Sequence, residues 1–221
     1  MRDSAAHQQA VAKLREKERE EDRRSGQVTP SSHSWFWYKA EVPRRFVRWS
    51  LGSSPVEESV KSELTQAGQQ SWLLWGDHGR GKTGLAIGWL RHRMGVDELP
   101  QETGHIAQGL FVTLPDLLSQ VRATYGPDGG TSEADVVQRY REAPLLVLDD
   151  LGAEHVKGTT WLEDILYRLV GYRHDNLLPT FFTSNLSPGE LGERIGERQM
   201  WRLVEMCGKG IMELRGRNLR A

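Results

Sequence analysis

From Ser71 onward the chain alternates between short, almost unbroken apolar runs and longer segments whose apolar residues recur at helical spacing. The runs are SWLLWG (Ser71–Gly76), GLFVTL (Gly109–Leu114), PLLVLDD (Pro144–Asp150) and TFFTSN (Thr180–Asn185). PLLVLDD is apolar up to its two terminal acids, the pattern of a strand buried on both faces. Between the runs stand GLAIGWL, PDLLSQVRATY and WLEDILYRLVGYR, read as helices. The last of these puts Trp161, Leu162, Ile165, Leu166, Leu169 and Val170 on one helical face. Strands alternating with helices predict an α/β fold with a parallel sheet flanked by helices. No internal repeat is visible.

The stretch before this alternation has a different character. KLREKEREEDRR (Lys13–Arg24) is charged at every position but Leu14. Opposite charges recur at i,i+3, as in Lys13/Glu16, Arg15/Glu18 and Glu16/Arg19, which favours a solvated helix. With so little apolar surface to bury, that helix is marginal alone. SGQVTPSSHS then reads as a flexible linker. WFWYKA (Trp35–Ala40) follows, and its four aromatics either dock on the domain body or form a partner-binding or base-stacking patch. The folded part begins near VPRRF at Val42. The expected organisation is a charged N-terminal extension over residues 1–41 and one domain over residues 42–221.

Composition narrows the setting without naming the chemistry. The chain has 221 residues, 38% of them hydrophobic, enough for one sizeable core. A formal net charge of −1 argues neither for nor against a nucleic-acid partner. Cys207 is the single cysteine, which excludes an internal disulfide and a cysteine-based zinc site. MRDSAAHQQA has no apolar signal core, and no apolar run approaches the ~18 residues of a membrane span. A soluble, cytoplasmic protein is expected.

The chemistry begins in the turn after the first strand. Gly76, Asp77, His78, Gly79, Arg80, Gly81, Lys82 and Thr83 match G-x-x-x-x-G-K-[ST]. Glycines let backbone N–H groups turn inward around phosphate oxygens. Lys82 brings a charge to the β- and γ-phosphates, and the Thr83 hydroxyl can coordinate Mg²⁺. The helix that opens at Lys82 presents its positive end to the anion. Asp77 and His78 read as permitted turn residues. A matching acidic site stands at the end of PLLVLDD. A carboxylate closing an apolar strand is costly unless it serves an ion. Asp149 is therefore expected to bind Mg²⁺, mostly through water, and Asp150 to orient or deprotonate the attacking water.

Further residues indicate the class of phosphate-binding protein. Asn185 ends another apolar run, where it could hold the lytic water or act as a helix N-cap. No N-K-x-D motif appears, which weighs against a GTPase, and no acceptor-substrate motif points to a small-molecule kinase. From Leu191 the chain is rich in arginine: Arg194, Arg198, Arg202, Arg215, Arg217 and Arg220. These form either a solvated basic surface or, in part, groups that complete a nucleotide site. An arginine donated in trans stabilises transition-state charge and ties hydrolysis to assembly.

In their order, SWLLWGDHGRGKT, LLVLDDLGAE, LPTFFTSNLSPGEL, RIGERQMWRLVEMC and IMELRGRNLR resemble the AAA+ ATPases of the DnaC/DnaI helicase-loader and IstB group. VPRRF resembles the short segment that precedes that group's core. The resemblance spans residues 42–221. It implies an AAA+ P-loop core with a minimal C-terminal lid, which binds and hydrolyses ATP with Mg²⁺ at subunit interfaces. By position, Lys82 and Thr83 would bind phosphates and metal. Asp149 would be the Walker-B aspartate, Asp150 the catalytic carboxylate and Asn185 sensor 1. Arg202 would be the arginine finger acting on an adjacent protomer, with Arg198, one turn earlier, at the same interface. Arg220 would be the sensor-2 arginine. Asp150 stands where most AAA+ enzymes carry glutamate, one methylene longer, so hydrolysis is expected to be slow. The implied function is loading of a hexameric, DnaB-like replicative helicase onto single-stranded DNA, with self-association through the ATP interfaces and no membrane role. The alternative is an IstB-like transposition helper acting on duplex DNA. Arg122 and Tyr125, beside a glycine-rich loop, are candidates either for strand contact or for an ordinary helix end. The charged N-terminal helix and Trp35–Tyr38 are candidates for the helicase contact.

Overall fold

A computed structural model describes residues 40–46, 49–66, 70–96, 108–126, 130–153 and 160–219. The N-terminal charged segment, the linker and Trp35–Tyr38 lie outside these residues. Among the described residues five strands form one sheet in the order β2-β3-β4-β1-β5: β1 Trp72–Trp75, β2 Gly109–Thr113, β3 Leu145–Leu151, β4 Thr180–Ser184 and β5 Ile211–Glu213. All the pairings are parallel. The four apolar runs of the sequence are β1 to β4. The fifth strand lies in the arginine-rich tail, which is therefore built into the sheet and not merely a basic surface.

Parallel neighbours need crossovers, and helices provide them. The helices are α1 Glu58–Gln66, α2 Lys82–Arg93, α3 Leu114–Ala123, α4 Glu133–Arg141, α5 Thr160–Asp175, α6 Pro188–Ile195 and α7 Glu197–Cys207. α2 packs on β3 and β4; α3 packs on β2 and β3; α7 packs on α5, α6 and β1. Their ends follow the sequence chemistry. Thr113 caps α3 through the Asp116 N–H, and Ser132 and Ser187 form capping boxes with Asp135 and Glu190. β1, β3 and β4 are buried almost throughout, as expected for central strands covered on both faces. One continuous core joins Leu73, Leu148 and Phe182 of the sheet to Leu118, Leu166, Leu169 and Leu203 of the helices.

One buried residue on α5 is not apolar. Arg173 is 0% exposed and falls on the same face as Leu166, Leu169 and Val170. Its guanidinium donates to the carbonyls of Tyr140, Arg141, Ala143 and Pro179 and to the Thr180 hydroxyl, at 2.6 to 3.1 Å. It ties the carboxyl end of α4 to the start of β4. Burial pushes its pKa down to about 9, which still leaves it charged at neutral pH.

Candidate functional site

The central strands deliver the candidate residues to the carboxyl end of the sheet. β1 ends at Trp75 and the chain enters the turn Gly76–Thr83, with α2 starting at Lys82. Gly76, Gly79 and Gly81 have φ of 129°, 77° and 92°, values that side chains with a Cβ rarely adopt. The glycines of the motif thus stand where the turn takes backbone conformations open mainly to glycine. Asp77 and Arg80 pair across the turn at 2.8 Å, and Arg80 holds the Asp77 carboxyl below its ordinary range. His78 is exposed in the turn.

Lys82 is buried, and its ammonium donates to Gly76 O at 2.6 Å, Asp77 O at 2.8 Å and Asn185 Oδ1 at 2.7 Å. Asn185 follows β4 directly and is not a helix cap, since Ser187 caps α6. The lysine therefore joins the turn after β1 to the residue after β4, the neighbouring strand.

Thr83 and Asp149 form the second link. The Thr83 hydroxyl lies 3.1 and 3.0 Å from the two carboxylate oxygens of Asp149. Asp149 is 2% exposed. Burial, followed by the nearby charge of Asp150, pushes its carboxyl up to about 6, against the opposing effect of the Thr183 and Thr83 hydroxyls and of Lys82.

Thr183 escaped the sequence reading. It donates to Asp149 Oδ1 at 2.6 Å and accepts from the Asp150 N–H at 2.9 Å, so one hydroxyl fixes both acids. The signal was present, because in β4 the residue two before Asn185 shares its face of the strand. Asp150 itself has φ of 58°, uncommon outside glycine. Between Leu148 and Leu151 the register against β4 slips by one residue, a bulge in β3. Neighbouring residues of a regular strand point to opposite faces; the bulge re-aims Asp150, leaving it half-exposed beside a buried Asp149.

A second unforeseen part comes from beyond β5. The Leu214 N–H donates to Trp75 O and the Leu219 N–H to Gly79 O, each at 2.8 Å. The Asn218 side chain lies where a Cβ on Gly79 would stand. The segment 214–219 thus runs alongside the phosphate turn. Arg220 lies outside the described residues. Next to this segment is a polar cleft of about 320 Å³, lined among others by Asp77, Arg80, Asn185, Glu190, Glu213 and Arg215. It borders the phosphate turn and does not include Lys82, Thr83 or Asp149.

The remaining candidates lie apart from this group. The interactions described for Arg202 and Arg198 run to α5 and within α7: their guanidiniums lie over the Tyr167 ring, and Arg202 also reaches Gln199. Arg122 stacks over the Trp161 ring at 4.9 Å, and the Trp161 indole N–H donates to the Tyr125 hydroxyl at 2.9 Å. Tyr125 is bonded onward to Glu133, which pairs with Arg168. Among the described residues no helix is long and apolar enough to cross a membrane.

Comparison with known proteins agrees with this architecture. No family model matches the chain. The chain is 36% identical over 159 residues to the replicative helicase loader DnaI of Bacillus subtilis (strain 168), an alignment covering 72% of this chain and 47% of that protein. It thus spans about half the length of the curated relative it matches. The crystal structure of the DnaC helicase loader superposes with a TM-score of 0.63 at 21% identity, covering 78% of this chain and 100% of that one. The replication initiator DnaA bound to AMPPCP and single-stranded DNA gives 0.59 at 15% identity, covering 77% and 50%. The fold is an α/β P-loop AAA+ core, and the chain is DnaC/DnaI-like.

Proposed function

We propose that this DnaC/DnaI-like AAA+ chain is an ATP-driven loader that places a hexameric, DnaB-like replicative helicase on single-stranded DNA. The observation that supports it best is the join between the strand ends. Lys82 reaches Asn185 after β4, and Thr83 reaches Asp149 near the end of β3. A cation, a hydroxyl, a carboxylate and an amide are thereby held at the carboxyl end of the sheet, beside a turn built for phosphate.

In this reading the turn amides and the amino end of α2 take the β- and γ-phosphates. Lys82 exchanges carbonyl partners for phosphate oxygens. Thr83 and Asp149 would hold Mg²⁺; they fit it, because a buried carboxylate and a hydroxyl already face each other there. Among the described residues no group of three or more His, Cys, Asp or Glu is placed to hold a metal ion, and Mg²⁺ suits one carboxylate, a hydroxyl and substrate phosphates better than an all-protein cage. When bound, the ion neutralises charge that develops on the phosphates. Asp150 and Asn185 orient the attacking water, Arg220 contacts the γ-phosphate in cis, and Arg202 of a neighbouring protomer stabilises the transition state. Hydrolysis then depends on self-association. The Arg122–Trp161–Tyr125 cluster, a cation with two aromatics on the surface, supports a place where single-stranded DNA could track and stack. The charged extension, residues 1–41, would serve as the helicase contact, in the cytoplasm.

The test is a pull-down of the full chain against a replicative helicase, with and without ATP and single-stranded DNA, beside an ATP-turnover assay. Helicase capture that depends on ATP, with turnover abolished in Lys82→Ala, is the expected result. Capture of a transposase and preference for duplex DNA would replace the loader by the transposition helper. Turnover unchanged in Lys82→Ala would remove the ATPase assignment.

A further inference from the structure

Two arginines of α7 converge on one ring of α5. The Cζ atoms of Arg202 and Arg198 lie 4.4 and 4.7 Å from the centroid of Tyr167. One helical turn further along α5 stands Gly171, buried in the helix interior. Glycine is a poor residue for a helix interior, where alanine costs the backbone less. Here it makes room. A methyl group at position 171 would lie 3.1 Å from Arg202 Nη1 and 3.3 Å from its Cζ, closer than side-chain carbons ordinarily pack. The Gln199 side-chain Oε1 accepts from the same Nη1 at 3.4 Å. A ring face, a missing side chain and an amide thus hold the Arg202 guanidinium in place.

None of these partners cancels its charge. Among the described residues neither Arg198 nor Arg202 is paired with a carboxylate. Stacking on an aromatic face orients a guanidinium and leaves its positive charge available to an external anion. The two arginines are also unequal. Arg202 is half-buried over Gly171, whereas Arg198 is exposed.

We infer that Tyr167 and Gly171 are positioning residues that seat Arg202, so that the guanidinium is pre-oriented before it meets the phosphates of an adjacent protomer. This rests on the trans-acting role proposed for Arg202. Pre-orientation lowers the cost of placing the charge in the transition state and leaves ground-state ATP binding unaltered. Tyr167 therefore governs turnover rate and not affinity.

Complementation between two inactive full-length chains separates the two ideas. The acceptor chain carries Arg202→Ala, so its site is intact and its arginine is gone. The donor chain carries Lys82→Ala, so its arginine is intact and its own site is dead. Mixed with ATP and single-stranded DNA, the pair recovers hydrolysis if the arginine acts in trans. Tyr167→Leu added to the donor should then lower the recovered kcat about five- to tenfold, the scale of one lost stacking contact on a partly desolvated cation. The KM for ATP should stay unchanged. Tyr167→Phe in the donor keeps the ring and should restore the rate, and Tyr167→Leu in the acceptor should have no effect. Gly171→Leu in the donor should reproduce the loss, with thermal unfolding run beside it to verify folding. No recovery from the first mixture overturns the trans role and the seat with it. Recovery that Tyr167→Leu in the donor leaves untouched overturns the seat alone.

Discussion

Replacing Asp149 by asparagine should make the nucleotide-free protein more stable, and the gain should depend on pH. The Asp149 carboxyl is buried beside Asp150, and its pKa is raised from 3.8 to about 6. That is about 2 units, or about 3 kcal/mol at ~1.4 kcal/mol per unit. The folded pKa lies above the unfolded one, so folding favours the protonated acid. The contribution of this group is fully present below the unfolded pKa of 3.8 and is lost as pH rises through about 6. Above that range the buried carboxylate costs the folded state about 3 kcal/mol. Asparagine keeps the shape without the charge; its carbonyl can accept from Thr183 and its amide can donate to Thr83. In EDTA at about pH 7.5, Asp149→Asn should therefore raise the unfolding free energy by about 3 kcal/mol, or Tm by roughly 6–12 °C. Near pH 5 the gain should fall to about half, and below about pH 4 it should vanish. With ATP and Mg²⁺ the gain should shrink, because ligand binding to the folded state then stabilises the wild type more than the variant that lacks the metal carboxylate. Urea unfolding across this pH range measures the difference. Equal stability at neutral pH, or a gain that does not change with pH, would refute the electrostatic account.

Three further outcomes are expected. Arg173→Met leaves the carbonyls of Tyr140, Arg141 and Ala143 without this donor, while Pro179 O keeps the Leu146 N–H and the Thr180 hydroxyl keeps Leu178 O; at ~1–3 kcal/mol for each unsatisfied group, partly offset by the guanidinium no longer buried, a loss of about 3 kcal/mol should appear in denaturant unfolding. Thr183→Val removes the hydroxyl that fixes both acids, so turnover should fall at least about tenfold while ATP affinity holds, and Thr183→Ser should recover it. His174 is bonded to Asp175 and Glu205, which raise its pKa, and its ring lies 6.3 Å from that of Trp201. Its stabilising contribution is present below the unfolded pKa near 6.5 and lost as pH rises through the higher folded value, so Trp201 fluorescence should titrate above pH 6.5 and His174→Gln should abolish that transition.

What could be read from the sequence divides along physical lines. The central strands were legible because burial on both faces forces continuous apolar runs, and the grouping of Lys82, Thr83 and Asp149 because the motif places fixed residue types at strand ends that a parallel sheet brings together. β5 was not, since Ile211–Glu213 is a short strand with one end in an arginine-rich stretch and lacks the apolar length of β3. Thr183 looked like an ordinary β-branched strand residue; its place on the Asn185 face was readable, but what its hydroxyl holds shows only beside the bulge. Arg173 stood in a helix whose apolar face was correctly read, but a cation on such a face becomes intelligible only when the carbonyls from α4 and the turn before β4 arrive. Gly171 carried no signal at all, because its role is to be absent where the Arg202 guanidinium sits.

The strap formed by residues 214–219 has a consequence for how the protein comes into being. During synthesis β1 and the phosphate turn emerge long before the segment that borders them. Until Ile211–Glu213 pairs with β1, that strand keeps an open edge, and Gly79 lacks the Leu219 amide bonded to its carbonyl. An open, apolar strand edge invites pairing with the wrong chain. A growing chain therefore carries the sequence of a nucleotide site well before it carries the shape of one, and the site closes only after residue 219 has left the ribosome.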